Sequence, residues 1–166
     1  ESVGYYLKDG DAEKFNIKYF DRSYDKNSFK LNSISVKNVS RELDEPIVES
    51  MPIHINTDID IKEKGTFHIT YHLYNELGEA MFSFYDNHDN AKLVFGNNKV
   101  NCVIPSDFFQ SGNFALSIFI IKNKKSALFV EKDVFRFTVV DGGRELGTYM
   151  GREPGYIKPQ FNWYKL

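Results

Sequence analysis

Two of the four histidines in this chain, His68 and His72, lie four residues apart within TFHITYHLYNELGEAMFSFYD, residues 66–86. On a helix that spacing would place both imidazoles on one face, ready for a metal ion. The neighbours argue otherwise: Phe67, Ile69, Tyr71 and Leu73 alternate with His68, Thr70, His72 and Tyr74, the period of a strand. Along a strand four residues span about 13 Å, too far for two rings to meet one ion about 2 Å from each. No metal site is expected from the pair, and the residues between them lack the glutamate of a metalloprotease motif.

What the stretch offers instead is a surface. After a turn at 75–78, Ala80 to Asp86 puts Phe82 and Phe84 inward and Met81, Ser83 and Tyr85 outward. Two neighbouring strands then present histidines and tyrosines on a face that folding does not need. A flat ring covers the apolar C–H face of a pyranose while nearby polar groups bond its hydroxyls, so such a face suits sugars. If this hairpin pairs with Asn113 to Ile121, the surface comprises His68, His72, Tyr74, Ser83, Tyr85, Ser117 and Phe119. The competing expectation is that Tyr85 and Phe119 are covered by the chain's own tail or by a second subunit.

Catalytic patterns are missing. There is no Gly-x-Ser-x-Gly, and Cys102 lies in an apolar run, as a buried thiol would. Gly142-Gly143 and Gly147 lack the Gly-Lys-Ser/Thr element of a phosphate loop. Asp58-Ile59-Asp60 alternates like a strand and lacks the glycine placement of a calcium loop. Asp86 and Asp89 arise in a stretch rich in Asp and Asn. Asn38-Val39-Ser40 matches a glycosylation sequon, a short pattern that recurs by chance. The expectation is a binding domain with no catalytic residues, metal or cofactor.

The elements that must position these residues are strands. Phe29 to Val39 carries Ile34 and Val36 inward; Ile53 to Ile61 alternates isoleucines and Thr57 with His54, Asn56, Asp58 and Asp60. Val100 to Ile104 is stopped by Pro105, and residues 106–110 could form one helical turn. Asn113 to Ile121 points Phe114, Leu116, Ile118 and Ile120 inward and Ala115, Ser117, Phe119 and Ile121 outward. Ala127 to Val130 and Asp133 to Val140 complete the set, with Arg136 and Thr138 outward. About eight strands at this spacing predict an all-β antiparallel sandwich, with a jelly roll as the alternative. Residues 1–28 read as an arm pinned by Tyr5, Tyr6, Phe15, Tyr19 and Phe20, residues 29–141 as the sandwich, and residues 142–166 as a Gly- and Pro-broken tail whose Phe161, Trp163 and Tyr164 must dock somewhere.

At 166 residues, the chain can bury one core without staples, and its 15 Phe and 10 Tyr favour strands. A net charge of −2 and a pI near 6.1 provide no basic field for nucleic acid. One cysteine excludes an internal disulfide and agrees with a reducing compartment. No apolar run reaches the roughly 20 residues of a membrane span, and no signal-peptide pattern is visible. Glu1 in place of Met is what a segment of a longer protein would show.

The strand pair with Gly78, then Val103-Ile104-Pro105 followed by Gly112-Asn113-Phe114, then Phe135-Arg136-Phe137-Thr138-Val139, and finally Gly151-Arg152-Glu153-Pro154-Gly155 before Trp163 resemble the C-terminal domain of Wzt-type polysaccharide ABC transporter ATPases. The likeness covers roughly residues 29 to 163. It implies an immunoglobulin-like sandwich following a nucleotide-binding domain, binding the O-antigen polysaccharide, often at its non-reducing end. It also implies a homodimer with C-terminal segments exchanged in some members, contact with the transporter's membrane subunit through the parent protein, and a cytoplasmic place at the bacterial inner membrane. The family's glycan contacts vary with the glycan, so no binding residue is carried over. The alternatives are a protein-interaction or adhesion module, and a carbohydrate-binding module of an extracellular enzyme.

Overall fold

The computed structural model describes residues 16–142 and 154–166, in which the alternating segments become strands of two sheets. In chain order these are β1 (Ile17–Tyr19), β2 (Phe29–Asn38), β3 (Ile47–Val48), β4 (Ile53–Ile61), β5 (Phe67–Tyr74), β6 (Ala80–Tyr85), β7 (Gly96–Ile104), β8 (Gly112–Lys122) and β9 (Ser126–Val140). One sheet runs β1-β2-β4-β7, the other β3-β9-β8-β5-β6. Pairings are antiparallel apart from β3 with β9, which is parallel. The all-β sandwich read from the sequence is the fold observed, and no helix among the described residues is long and apolar enough to cross a membrane.

Period 2 builds the core directly. Ile53, Ile55, Ile59 and Ile61 of β4 face Ile69 and Leu73 of β5 and Leu116, Ile118 and Ile120 of β8, all buried in one cluster. Each such side chain contributes about 1.5–3 kcal/mol on leaving water. Thr57 interrupts the isoleucine row of β4, and its hydroxyl is bonded to the Tyr71 hydroxyl of β5, joining the two sheets inside the core. Burial pushes the Tyr71 phenol well above its ordinary range, so it stays protonated and able to donate.

Asparagines close the loops. The Asn38 amide donates to the carbonyls of Val48 and Met51 and accepts from the Val48 N–H at 2.7 Å, holding the β2–β3 loop against the sandwich. Asn75 Oδ1 accepts from the N–H groups of Leu77 and Glu79, and Gly78 takes a φ of 80°, which together close the β5–β6 turn.

Several local expectations change. Within the stretch read as an arm, Ile17–Tyr19 adds an edge strand to β2, and Phe20 and Tyr24 pack on the core while Tyr19 stays exposed; Tyr5, Tyr6 and Phe15 lie outside the described residues. Strand β7 starts at Gly96 rather than Val100. Residues 106–110 form no helical turn, because the backbone of Phe108, Phe109 and Gln110 is taken by the tail: Gln110 N–H donates to Tyr156, Lys158 N–H donates to Phe108, and Ile157 bridges Phe109. The two apolar runs of 127–130 and 133–140 are one strand with a bulge, where Asp133 has a φ of 55°.

The docked part of the tail is fixed further by an ion pair between Lys158 and the buried Glu49 at 2.6 Å. Beyond it Phe161, Trp163 and Tyr164 are 74%, 91% and 82% exposed, without cover among the described residues.

Tyr71→Phe leaves the Thr57 hydroxyl buried without its partner and is expected to destabilise the domain by about 1–3 kcal/mol in urea unfolding. Adding Thr57→Val should recover part of that loss, since a matched apolar pair leaves nothing unsatisfied.

Candidate functional site

Strand β5 lies between β6 and β8, and its register decides what the outer face of its sheet presents. Thr70 is opposite Tyr85 on one side and Phe119 on the other; His72 is opposite Ser83 and Ser117; Tyr74 is opposite Ala80 and Ala115. All seven residues singled out by the sequence therefore lie on one face of one sheet. Tyr85 is 63% exposed and Ser83 is open beside it. The His72 and Phe119 rings lean on one another with centroids 4.3 Å apart, both half-buried. Tyr74 is half-buried at the far end of β5. Tyr85 and Phe119, two strands apart, are separated by roughly 10 Å of sheet, a stride suited to successive rings of a sugar chain.

Two of the seven are not open. His68 is buried: its Nε2 is 2.8 Å from Asp89 Oδ1, and its Nδ1 has no partner. The hydrogen bond from His68, with Lys124 beside it, holds the Asp89 carboxyl below the usual range. This contact fastens the β6–β7 loop over the end of β5. Ser117 is 1% exposed, and its Oγ accepts the Asp133 N–H at 3.2 Å, so the β9 bulge covers it. These side chains hold elements in place rather than offering themselves to a ligand. The described tail residues dock on 108–110 and leave Tyr85 exposed.

At Tyr74 the flat face runs into a groove of about 940 Å³. Its floor includes Ala115, Asn113, Arg136 and Thr138; its walls come from Asp44–Ile47 of the β2–β3 loop and from Asn75 and Glu76 of the β5–β6 turn. Polar groups here are already organised. Thr138 Oγ1 donates to Asn113 Oδ1 at 2.6 Å, and the Asn113 amide donates to Glu76 at 3.4 Å. Arg136 forks onto Asp133 through Nε at 2.8 Å and Nη2 at 2.5 Å. The groove combines one aromatic wall with amide, hydroxyl and carboxylate groups, the chemistry that orients a polyhydroxylated ligand.

Sequence reasoning did not name Asn113, Asp133 or the β2–β3 loop as site components. Arg136 and Thr138 were legible, since the alternation of β9 already turned them outward. The loop wall and the bulge were not, because both depend on contacts between segments far apart in sequence. Among the described residues, no group of three or more His, Cys, Asp or Glu side chains could hold a metal ion. Cys102 is half-buried, and that burial raises its thiol pKa.

The described strands form a two-sheet sandwich whose outer face runs into an open groove. Against solved structures the chain matches a crystal structure of the C-terminal domain of wzt, with a TM-score of 0.62 and 13% identity, covering 84% of this chain and 86% of that one. The two-sheet sandwich implied by the sequence resemblance is thus the fold found. No family model and no curated protein matches the chain.

Ser117→Ala removes the acceptor of the Asp133 amide and is expected to cost about 1 kcal/mol of stability. Faster hydrogen exchange at the Asp133 amide should accompany it, whereas unchanged exchange there would show that the hydroxyl does not hold the bulge.

Proposed function

We propose that this domain is the non-catalytic glycan-recognition module of an ATPase subunit in a polysaccharide (O-antigen) export transporter. The face bounded by Tyr85, His72, Phe119 and Tyr74 receives the sugar chain, and the groove receives its non-reducing end. The observation that carries this reading is the run of exposed and half-exposed rings leading into a polar groove, on a fold shared with the C-terminal domain of wzt. Rings on an unneeded sheet face favour stacking on pyranose C–H surfaces, and the walls raised beside Tyr74 by the β2–β3 loop and the β5–β6 turn favour a chain terminus over a chain interior. His68 and Ser117 support the surface from beneath rather than touching the glycan.

The module works as a homodimer at the cytoplasmic face of the inner membrane, where it selects which glycan the attached transporter moves. Exposed Phe161, Trp163 and Tyr164 support pairing through the tail, since large rings gain most when a partner covers them. Among the described residues, strands β6 and β7 stand at the edges of their sheets and offer backbone to such a segment.

Tyr74→Ala, Tyr85→Ala and Phe119→Ala together should weaken binding to the cognate O-polysaccharide by tenfold or more, about 1.4 kcal/mol, in a protein that remains folded and dimeric. Unchanged affinity in isothermal titration would sink the ring platform. Deleting residues 159–166 should convert the dimer to a monomer in light scattering, and an intact dimer would remove the tail from the interface.

A further inference from the structure

The groove carries a charge bias that the whole chain does not. Its described lining contains four carboxylates, Asp44, Glu45, Glu76 and Asp133, against two cations, Lys132 and Arg136. Arg136 is bound in fork geometry by Asp133, so those two charges cancel in place. Glu45 is matched by Arg41 at 2.8 Å, from outside the lining. What remains is Asp44 and Glu76, both exposed, against Lys132 alone.

The surroundings reinforce this. Antiparallel pairing places the β2–β3 loop, the β5–β6 turn, the start of β8 and the end of β9 at one end of the sandwich. Among the described residues that end adds Glu42, Glu49, Glu79, Asp107 and Asp141 against Lys37, Arg41 and Lys158. The opposite end carries Lys62, Lys64, Lys122, Lys124 and Lys125 in its β4–β5 and β8–β9 turns, with Asp25 bonded to Lys62, Glu63 to Lys122 and Asp89 to Lys124. Charge among the described residues is therefore divided unequally, and the groove opens at the acidic end.

We infer that the groove takes an uncharged or amine-bearing sugar end and rejects one carrying phosphate, sulfate or carboxylate. This rests on the glycan-binding reading above and adds the class of terminus. Hydroxyl and ammonium groups donate to carboxylates, so Asp44, Glu76 and the Asn113 and Thr138 side chains can hold such an end. An anionic terminus meets like charge from Asp44 and Glu76 at the groove mouth, and the charge of Arg136 is already offset by Asp133. Lys132 is the single cation of the described lining with no carboxylate bonded to it, too little to reverse the local field.

The test compares matched oligosaccharides that differ only in a terminal phosphate monoester, using the dimeric domain and a panel of neutral, amino and anionic glycans. The neutral or amino forms should bind about tenfold or more tightly than their phosphorylated counterparts. Asp44→Asn combined with Glu76→Gln should shrink that difference several-fold, as should raising the salt. Preferential binding of an anionic terminus, lost on Lys132→Ala, would overturn the inference while leaving the glycan reading intact. Binding to no member of the panel would overturn both. Inorganic phosphate provides a check independent of sugar identity: titrated into labelled protein, it should leave the Asn113, Ala115 and Thr138 amide signals in place, and saturable shifts there would contradict the proposed charge selection.

Discussion

The register of β5 between β6 and β8 is the constraint on which the rest depends. With Thr70 opposite both Tyr85 and Phe119, and His72 opposite Ser83 and Ser117, every residue of the outer face is placed by the same alternation that sends Ile69, Tyr71 and Leu73 into the core. A slip of one residue would turn His72 and Tyr74 into the core and Ile69, Tyr71 and Leu73 out of it. Core packing and the binding face are therefore specified together. The Thr57–Tyr71 contact adds a polar pin between the sheets at the middle of this register.

Groove and face are joined by a local irregularity in β9. The extra residues at Asp133, with its positive φ, interrupt the β8–β9 ladder and bring the Asp133 amide onto Ser117. The same bulge aims the Asp133 carboxylate at Arg136, three residues further along the strand. A regular ladder would leave Ser117 uncovered and Arg136 without this neighbour. Bulges are commonly found where a side chain must be re-aimed next to a site, and here one bulge seals the floor and fixes a charged pair. Acidic loops concentrated at that end by antiparallel topology then set the field a ligand meets.

Much of this was legible in the sequence because long strands advertise themselves by alternation. Strands β2, β4, β5, β6 and β8 were readable from period 2, whereas the pairing of the hairpin with 113–121 entered as a condition that the structure meets. Strands β1 and β3 were not, since two or three residues carry no period. The reading of 106–110 as a helical turn failed because local preference gave way to backbone pairing with Tyr156 and Lys158. At the site, alternation correctly gave direction and could not give exposure. His68 and Ser117 point outward and are covered, one by Asp89 of the β6–β7 loop and the other by the β9 bulge. The groove walls come from residues 44–47, 74–78 and 113–138, a juxtaposition that only the tertiary fold reveals.

The most direct measurement of the central claim is mapping of amide chemical shifts in the labelled domain during titration with the O-polysaccharide of the parent organism. The account expects saturable shifts along β5, β6 and β8 around His72, Tyr74, Tyr85 and Phe119, continuing to Asn113 and Arg136, with the β1-β2-β4-β7 sheet unmoved. Shifts confined to the outer face of β2, β4 and β7, or none at saturating glycan, would contradict it.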